Sequence, residues 1–166
     1  GSYVAFIDRL LGTVTPHPLR ENLLLLRAHA ALGFGEDDKV EEWSLRLMQE
    51  FPASPWKLDA LRVLATTAWR TNPPKYRTVA NYLNQIRATE EEVGQDFSET
   101  SLLMADCHFL AKDYENAGSA YQNLLGQEFK LEIRNKALFQ YVQSLIELGH
   151  LELAAKNLAS GDFGSK

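Results

Sequence analysis

The stretch Ser101-Leu102-Leu103-Met104-Ala105-Asp106-Cys107-His108-Phe109-Leu110, followed by Lys112-Asp113-Tyr114, Glu115-Asn116-Ala117 and Tyr121-Gln122-Asn123-Leu124-Leu125, decides the fold. Apolar and small residues return every three or four positions on both sides of a short polar turn, the spacing of a helix face. The same grammar recurs as Leu138, Tyr141, Val142, Leu145 and Leu148-Gly149-His150-Leu151, then Glu152-Leu153-Ala154 and Leu158. Each copy is a helix, a tight turn and a second helix that opens with a small residue. Ala117 and Ala154 stand 37 residues apart, within the range of helical-repeat periods.

The mark extends back through the chain. Small or β-branched residues open the second helices at Val4, Val40, Val79, Ala117 and Ala154, at intervals of 36, 39, 38 and 37. Pro16 and Pro52 each follow their valine by 12 residues. Helices packed at close range need small side chains where their backbones approach, which assigns Ala105, Ala117 and Ala154 to such crossings. Leu102, Tyr121, Leu138, Tyr141 and Leu158 are predicted to fill the space between layers. One helix pair cannot cover its own apolar face, so each pair depends on its neighbour.

Taken in order, Tyr3 to Val14 reads as a helix carrying Val4, Phe6, Ile7, Leu10 and Leu11, ended by Pro16 and Pro18. Leu19 to Leu32 is the next, stopped by Gly33-Phe34-Gly35, since glycine supplies the left-handed conformation of a helix end. Glu36-Asp37-Asp38 opens a third at its positive end, closed by Phe51-Pro52. Ser54-Pro55 restarts the chain into Trp56 to Arg70. Thr71-Asn72-Pro73-Pro74 breaks it, and Tyr76 to Glu92 is the partner helix, with Glu90-Glu91-Glu92 read as a solvated end. Asp96 or Ser98 caps the helix after Gly94. The expected fold is all-α, about nine helices in one domain over 1–166, read as part of a longer protein. Its repeats are a half at 3–16, then 19–52, 55–93, 97–126 and 130–160.

Composition narrows function. A hydrophobic share of 45% with 23% charged residues can bury a core. The net charge of −5 argues against a general nucleic-acid binder, which needs a basic surface. Cys107 stands alone, so no internal disulfide or cysteine-rich zinc site is expected. Apolar runs such as Leu23-Leu24-Leu25-Leu26 are far short of the roughly 20 residues of a membrane span. His17, His29, His108 and His150 form no i, i+4 pair, so no metal is expected. His29 and His108 read as interior histidines, and Cys107 as a small buried hydrophobe. No phosphate loop, nucleophile elbow or dinucleotide fingerprint occurs, so neither catalytic residues nor a cofactor are assigned.

The first helices of such an array line a groove. Its candidates are Arg20, Leu23 and Arg27, then Asp59, Arg62, Thr66, Trp69 and Arg70. Glu99, Asp106 and Phe109, and then Phe139, Gln143 and Glu147, continue it. Arg27, Arg62 and Arg70 around Trp69 are predicted to form a basic–aromatic patch for an acidic or extended peptide. Guanidinium forks grip carboxylates and tryptophan supplies apolar area.

The pattern resembles the tetratricopeptide repeat family. Leu102, Met104-Ala105, Asp113-Tyr114, Ala117, Tyr121 and Leu124 carry the resemblance in one repeat, and Leu138, Tyr141-Val142, Gly149, Ala154 and Leu158 in the next. The resemblance implies a right-handed solenoid of antiparallel helix hairpins whose concave face binds another protein. The period exceeds that family's roughly 34 residues, and its first-helix tryptophan and glycine are absent, so HEAT-like and Sel1-like arrays stay open. Members that clamp a partner's terminal carboxylate use a Lys–Asn pair where Arg62 and Thr66 stand here. Phe51-Pro52-Ala53-Ser54-Pro55, through Ala60-Leu61 and Leu64-Ala65, is similar to repeat junctions of bacterial envelope proteins, namely the barrel-assembly lipoprotein and the Tol–Pal-associated coordinator. Periplasm and cytoplasm both stay open. The leading expectation is a scaffold or adaptor. The second is an architectural spacer in a larger multi-repeat protein, and self-association through terminal repeats is a further partner mode.

Overall fold

A computed structural model describes residues 2–13 and 17–160. Among these residues the chain is all-α, with nine helices and no strand. They are α1 (Ser2–Leu11), α2 (Arg20–Phe34), α3 (Asp37–Glu50), α4 (Lys57–Arg70), α5 (Tyr76–Glu92), α6 (Ser98–Leu110), α7 (Tyr114–Leu125), α8 (Leu131–Glu147) and α9 (Leu151–Ser160). Val14 and Pro16, read as the end of the first helix and its stop, lie outside the described residues. No described helix is long and apolar enough to cross a membrane.

The helices group into two compact units, one ending at Lys75 and one beginning at Tyr76. That boundary falls inside the span 55–93 that the sequence reading takes as one repeat. In the first unit α2 packs against α1, α3 and α4, and α3 also packs against α4. Ile7, Leu11, Leu23, Leu24, Leu47 and Ala60 form its core. The start of α2 is tied to the end of α3 by Arg20, whose Nε and Nη2 donate to Glu50 at 2.6 and 3.0 Å. These bonds, with one from Arg46, hold the Glu50 carboxyl down at about 2.

In the second unit successive helices pack in turn from α5 to α9, and α6 also lies beside α8. Its core contains Ala105, Ala117, Tyr121, Ile133, Ala137, Tyr141 and Ala154. Ala105, Ala117 and Ala137 are wholly buried, so a larger side chain at any of them meets a neighbouring helix. The periodic marks Val40, Val79, Ala117 and Ala154 are all buried, while Val4 is half-buried. Leu158 departs from its expected place between layers. It is 45% exposed, because α8 is the helix α9 packs against and Leu158 faces away.

Four helix ends share one device. Gly35, Gly94, Lys112 and Gly149 have φ of 71°, 72°, 58° and 77°. After each, the next N–H reaches back to a carbonyl five residues earlier: Glu36 to Ala31, Gln95 to Glu90, Asp113 to His108 and His150 to Leu145. This is the left-handed closure that satisfies the last carbonyls of a helix. It corrects the stop of α2, which runs through Gly33 and Phe34 and ends at Gly35. Lys112 is the one non-glycine among the four, and a Cβ in that region is disfavoured. Lys112→Gly is expected to raise the unfolding free energy by about 0.5–1 kcal/mol, net of glycine's greater freedom when unfolded. Chemical denaturation checks this, and a loss of stability would refute the account.

Candidate functional site

The α4 candidates share one outward strip. Ala60, Leu61, Leu64, Ala65 and Ala68 are buried, which leaves Asp59, Arg62, Thr66, Trp69 and Arg70 along the opposite side. Arg62 and Arg70 are exposed, and Trp69 keeps 41% of its surface in solvent. Thr66 is half-buried, and its hydroxyl donates to the Arg62 carbonyl at 2.8 Å, within the helix.

Arg27 does not join them. It is 2% exposed, donates through Nε to Asp8 at 2.8 Å, and lies 5.7 Å from the centre of the Trp43 ring. Its Nη1 is 3.5 Å from Glu36 Oε2, inside ion-pair range but outside hydrogen-bonding geometry. An arginine enclosed by α1 and α3 acts in the fold, so the predicted three-arginine patch reduces to Arg62 and Arg70. Arg20 is likewise engaged, with Glu50 and with the Leu11 carbonyl.

The second-unit candidates divide in the same way. Asp106 is half-buried and accepts a hydrogen bond from the Tyr121 hydroxyl, a clasp between α6 and α7. Burial pushes its carboxyl above the ordinary value against the opposing pull of that bond. Phe109 is half-buried, edge-on to Tyr114 with ring centres 5.3 Å apart. Phe139 is 54% exposed and Gln143, one turn later on α8, is half-buried. Asp106 and Phe109 therefore support the packing, while Phe139 faces solvent.

Other expectations shift as well. His29 is exposed and not interior, and His108 is half-buried with an enclosed Nδ1 3.9 Å from Asp113 Oδ2. Glu90, read as part of a solvated helix end, is buried. Cys107 is fully buried, and desolvation with the neighbouring Asp106 carboxylate pushes its thiol up to about 11, which makes it unreactive. No three His, Cys, Asp or Glu side chains among the described residues are grouped to hold a metal.

A concavity that the sequence reading did not single out lies within the second unit. It is a cleft of about 420 Å³ between α5, α6 and α7. Asn84 and Arg87 of α5 line one side, and Asn116, Ser119, Asn123 and Gln127 the other. Met104, Ala120 and Leu124 supply its apolar parts, with Ser101 and His108 of α6 beside them. The signal for it was legible: Asn116, Ser119 and Asn123 recur at helical spacing on the side of α7 away from buried Ala117 and Tyr121. Comparison of the chain with protein-family models, with curated proteins and with solved structures finds no match.

Proposed function

We propose that the chain is a tetratricopeptide-like right-handed solenoid segment that serves as a protein–protein interaction scaffold, with the outward strip of α4 as a partner surface. The observation that carries this reading is Trp69, 41% exposed on a well-packed helix, with Arg70 beside it and Arg62 two turns earlier. Tryptophan and arginine are the residues on which binding energy concentrates, because one offers a large rigid apolar face and the other a fork of donors. The near-37-residue interval of buried small residues supports the repeat architecture. An acidic or extended segment of a partner suits the strip, with a carboxylate on the arginines and an apolar side chain against the indole.

The competing spacer reading requires the aromatic candidates to be buried in packing. Phe109 fits that description, whereas Trp69 and Phe139 do not. The test is affinity capture from native lysate with the full-length protein as bait, then titration of the recovered partner with purified variants. Arg62→Ala/Arg70→Ala is expected to weaken binding by about tenfold or more, since two charge-assisted contacts are lost. An unchanged affinity would remove the α4 strip from the interface and favour the spacer.

A further inference from the structure

We propose that the cleft between α5, α6 and α7 binds an extended polypeptide segment by its main chain. The site is separate from the α4 strip and shares with the scaffold reading only the premise that the ligand is polypeptide. Its volume, about 420 Å³, lies in the range of ligand sites and accommodates a few residues.

The chemistry of the walls selects the ligand. Among the described residues, the side-chain amides of Asn84, Asn123 and Gln127 make no hydrogen bond to the protein. Asn116 donates to Asp113 Oδ2 at 2.9 Å, which leaves its carbonyl oxygen as an acceptor. A carboxamide carries a donor and an acceptor side by side, as does each peptide unit, so the two pair without regard to side-chain identity. Asn116 and Asn123 are seven residues apart on α7, about 10 Å along the axis, the length of about three extended residues. Arg87 sits at the wall with Nη1 3.1 Å from Glu91 Oε2 and its guanidinium over Phe97. That fixes the fork and leaves other N–H groups for a main-chain carbonyl. Met104 and Ala120, both half-buried, provide an apolar contact for a ligand side chain.

Other ligand classes fit less well. The lining has no Phe, Tyr or Trp ring on which a sugar or a base could stack, and its imidazole, His108, is half-buried. Arg87 is its one permanent cation among the described residues, too little charge for a polyanion.

The test selects a phage-displayed random dodecapeptide library on the purified chain and measures synthetic winners by fluorescence anisotropy. Winners are expected to bind wild type, to weaken about tenfold or more on Asn84→Ala/Asn123→Ala, and to change little on Arg62→Ala/Arg70→Ala. Methylating the main-chain nitrogens of a winner is expected to abolish binding, while alanine replacements of its side chains have smaller effects. Unchanged circular dichroism of the double variant separates lost contacts from lost fold. Failure to select any peptide, winners indifferent to the asparagine variant, or winners indifferent to N-methylation would each overturn the proposal. Winners sensitive only to the arginine variant would overturn it while supporting the α4 strip.

Discussion

Asp8→Ala is expected to cost the first unit about 3 kcal/mol, several times what an exposed ion pair is worth. The asymmetry comes from Arg27. The side chain of Asp8 is 44% exposed, but that of Arg27 is 3% exposed and cannot rehydrate when its hydrogen-bonded carboxylate is removed. Glu36 remains near, yet at 3.5 Å and out of hydrogen-bonding geometry it compensates poorly. Removing the buried cation as well should recover much of the loss, because Met fills similar volume without a charge to desolvate. The expected order of stability is therefore wild type, then Asp8→Ala/Arg27→Met, then Asp8→Ala, measured by urea denaturation. If Asp8→Ala costs no more than a surface pair, Arg27 has an escape to solvent and the enclosed-charge account fails.

The largest loss from a single core substitution in the second unit is expected at Tyr121. It is wholly buried against α6 and α8 neighbours, so Tyr121→Ala should cost about 3–5 kcal/mol through lost contact and the cavity left behind. Tyr121→Phe keeps the ring and removes only the donor to Asp106, at about 1–2 kcal/mol. The pH dependence has a definite sign. Burial raises the Asp106 carboxyl above its ordinary value, so the folded chain holds that proton more tightly than the unfolded one. The associated stabilisation is complete below the unfolded pKa and is lost as pH rises through the folded one. Asp106→Asn, neutral at every pH, should thus gain on wild type toward neutral pH and lose that advantage on acidification. Denaturation midpoints at pH 3 and pH 7 decide it; an advantage that grew on acidification would reverse the sign and refute the argument.

Helix positions were legible because periodicity is a local property. Tyr76 to Glu92 needed only its breaker residues and its Val79, Leu83, Ile86 spacing, and the structure starts and ends α5 there. Burial of Val40, Val79, Ala117 and Ala154 was readable from their regular recurrence. Arg27 was misplaced for the opposite reason. Asp8 and Glu36, which neutralise it, are 19 residues before and 9 after it, and no helical spacing joins them. Asp106 was likewise assigned to a groove because its partner Tyr121 lies across the α6–α7 turn, and a carboxylate alone gives no sign of the hydroxyl above it. The amide cleft needed three helices at once. Its stripe on α7 stood in the sequence, but Asn84 and Arg87 come from a helix whose contact with α6 no local pattern dictates.

The division at Lys75 has an optical consequence. Trp43, Trp56 and Trp69, the three indoles of the chain, all precede that boundary, while Tyr121 and Tyr141 lie buried beyond it. Emission excited at the red edge of protein absorption therefore reports only the amino-terminal helices, whereas far-ultraviolet ellipticity sums over the entire chain.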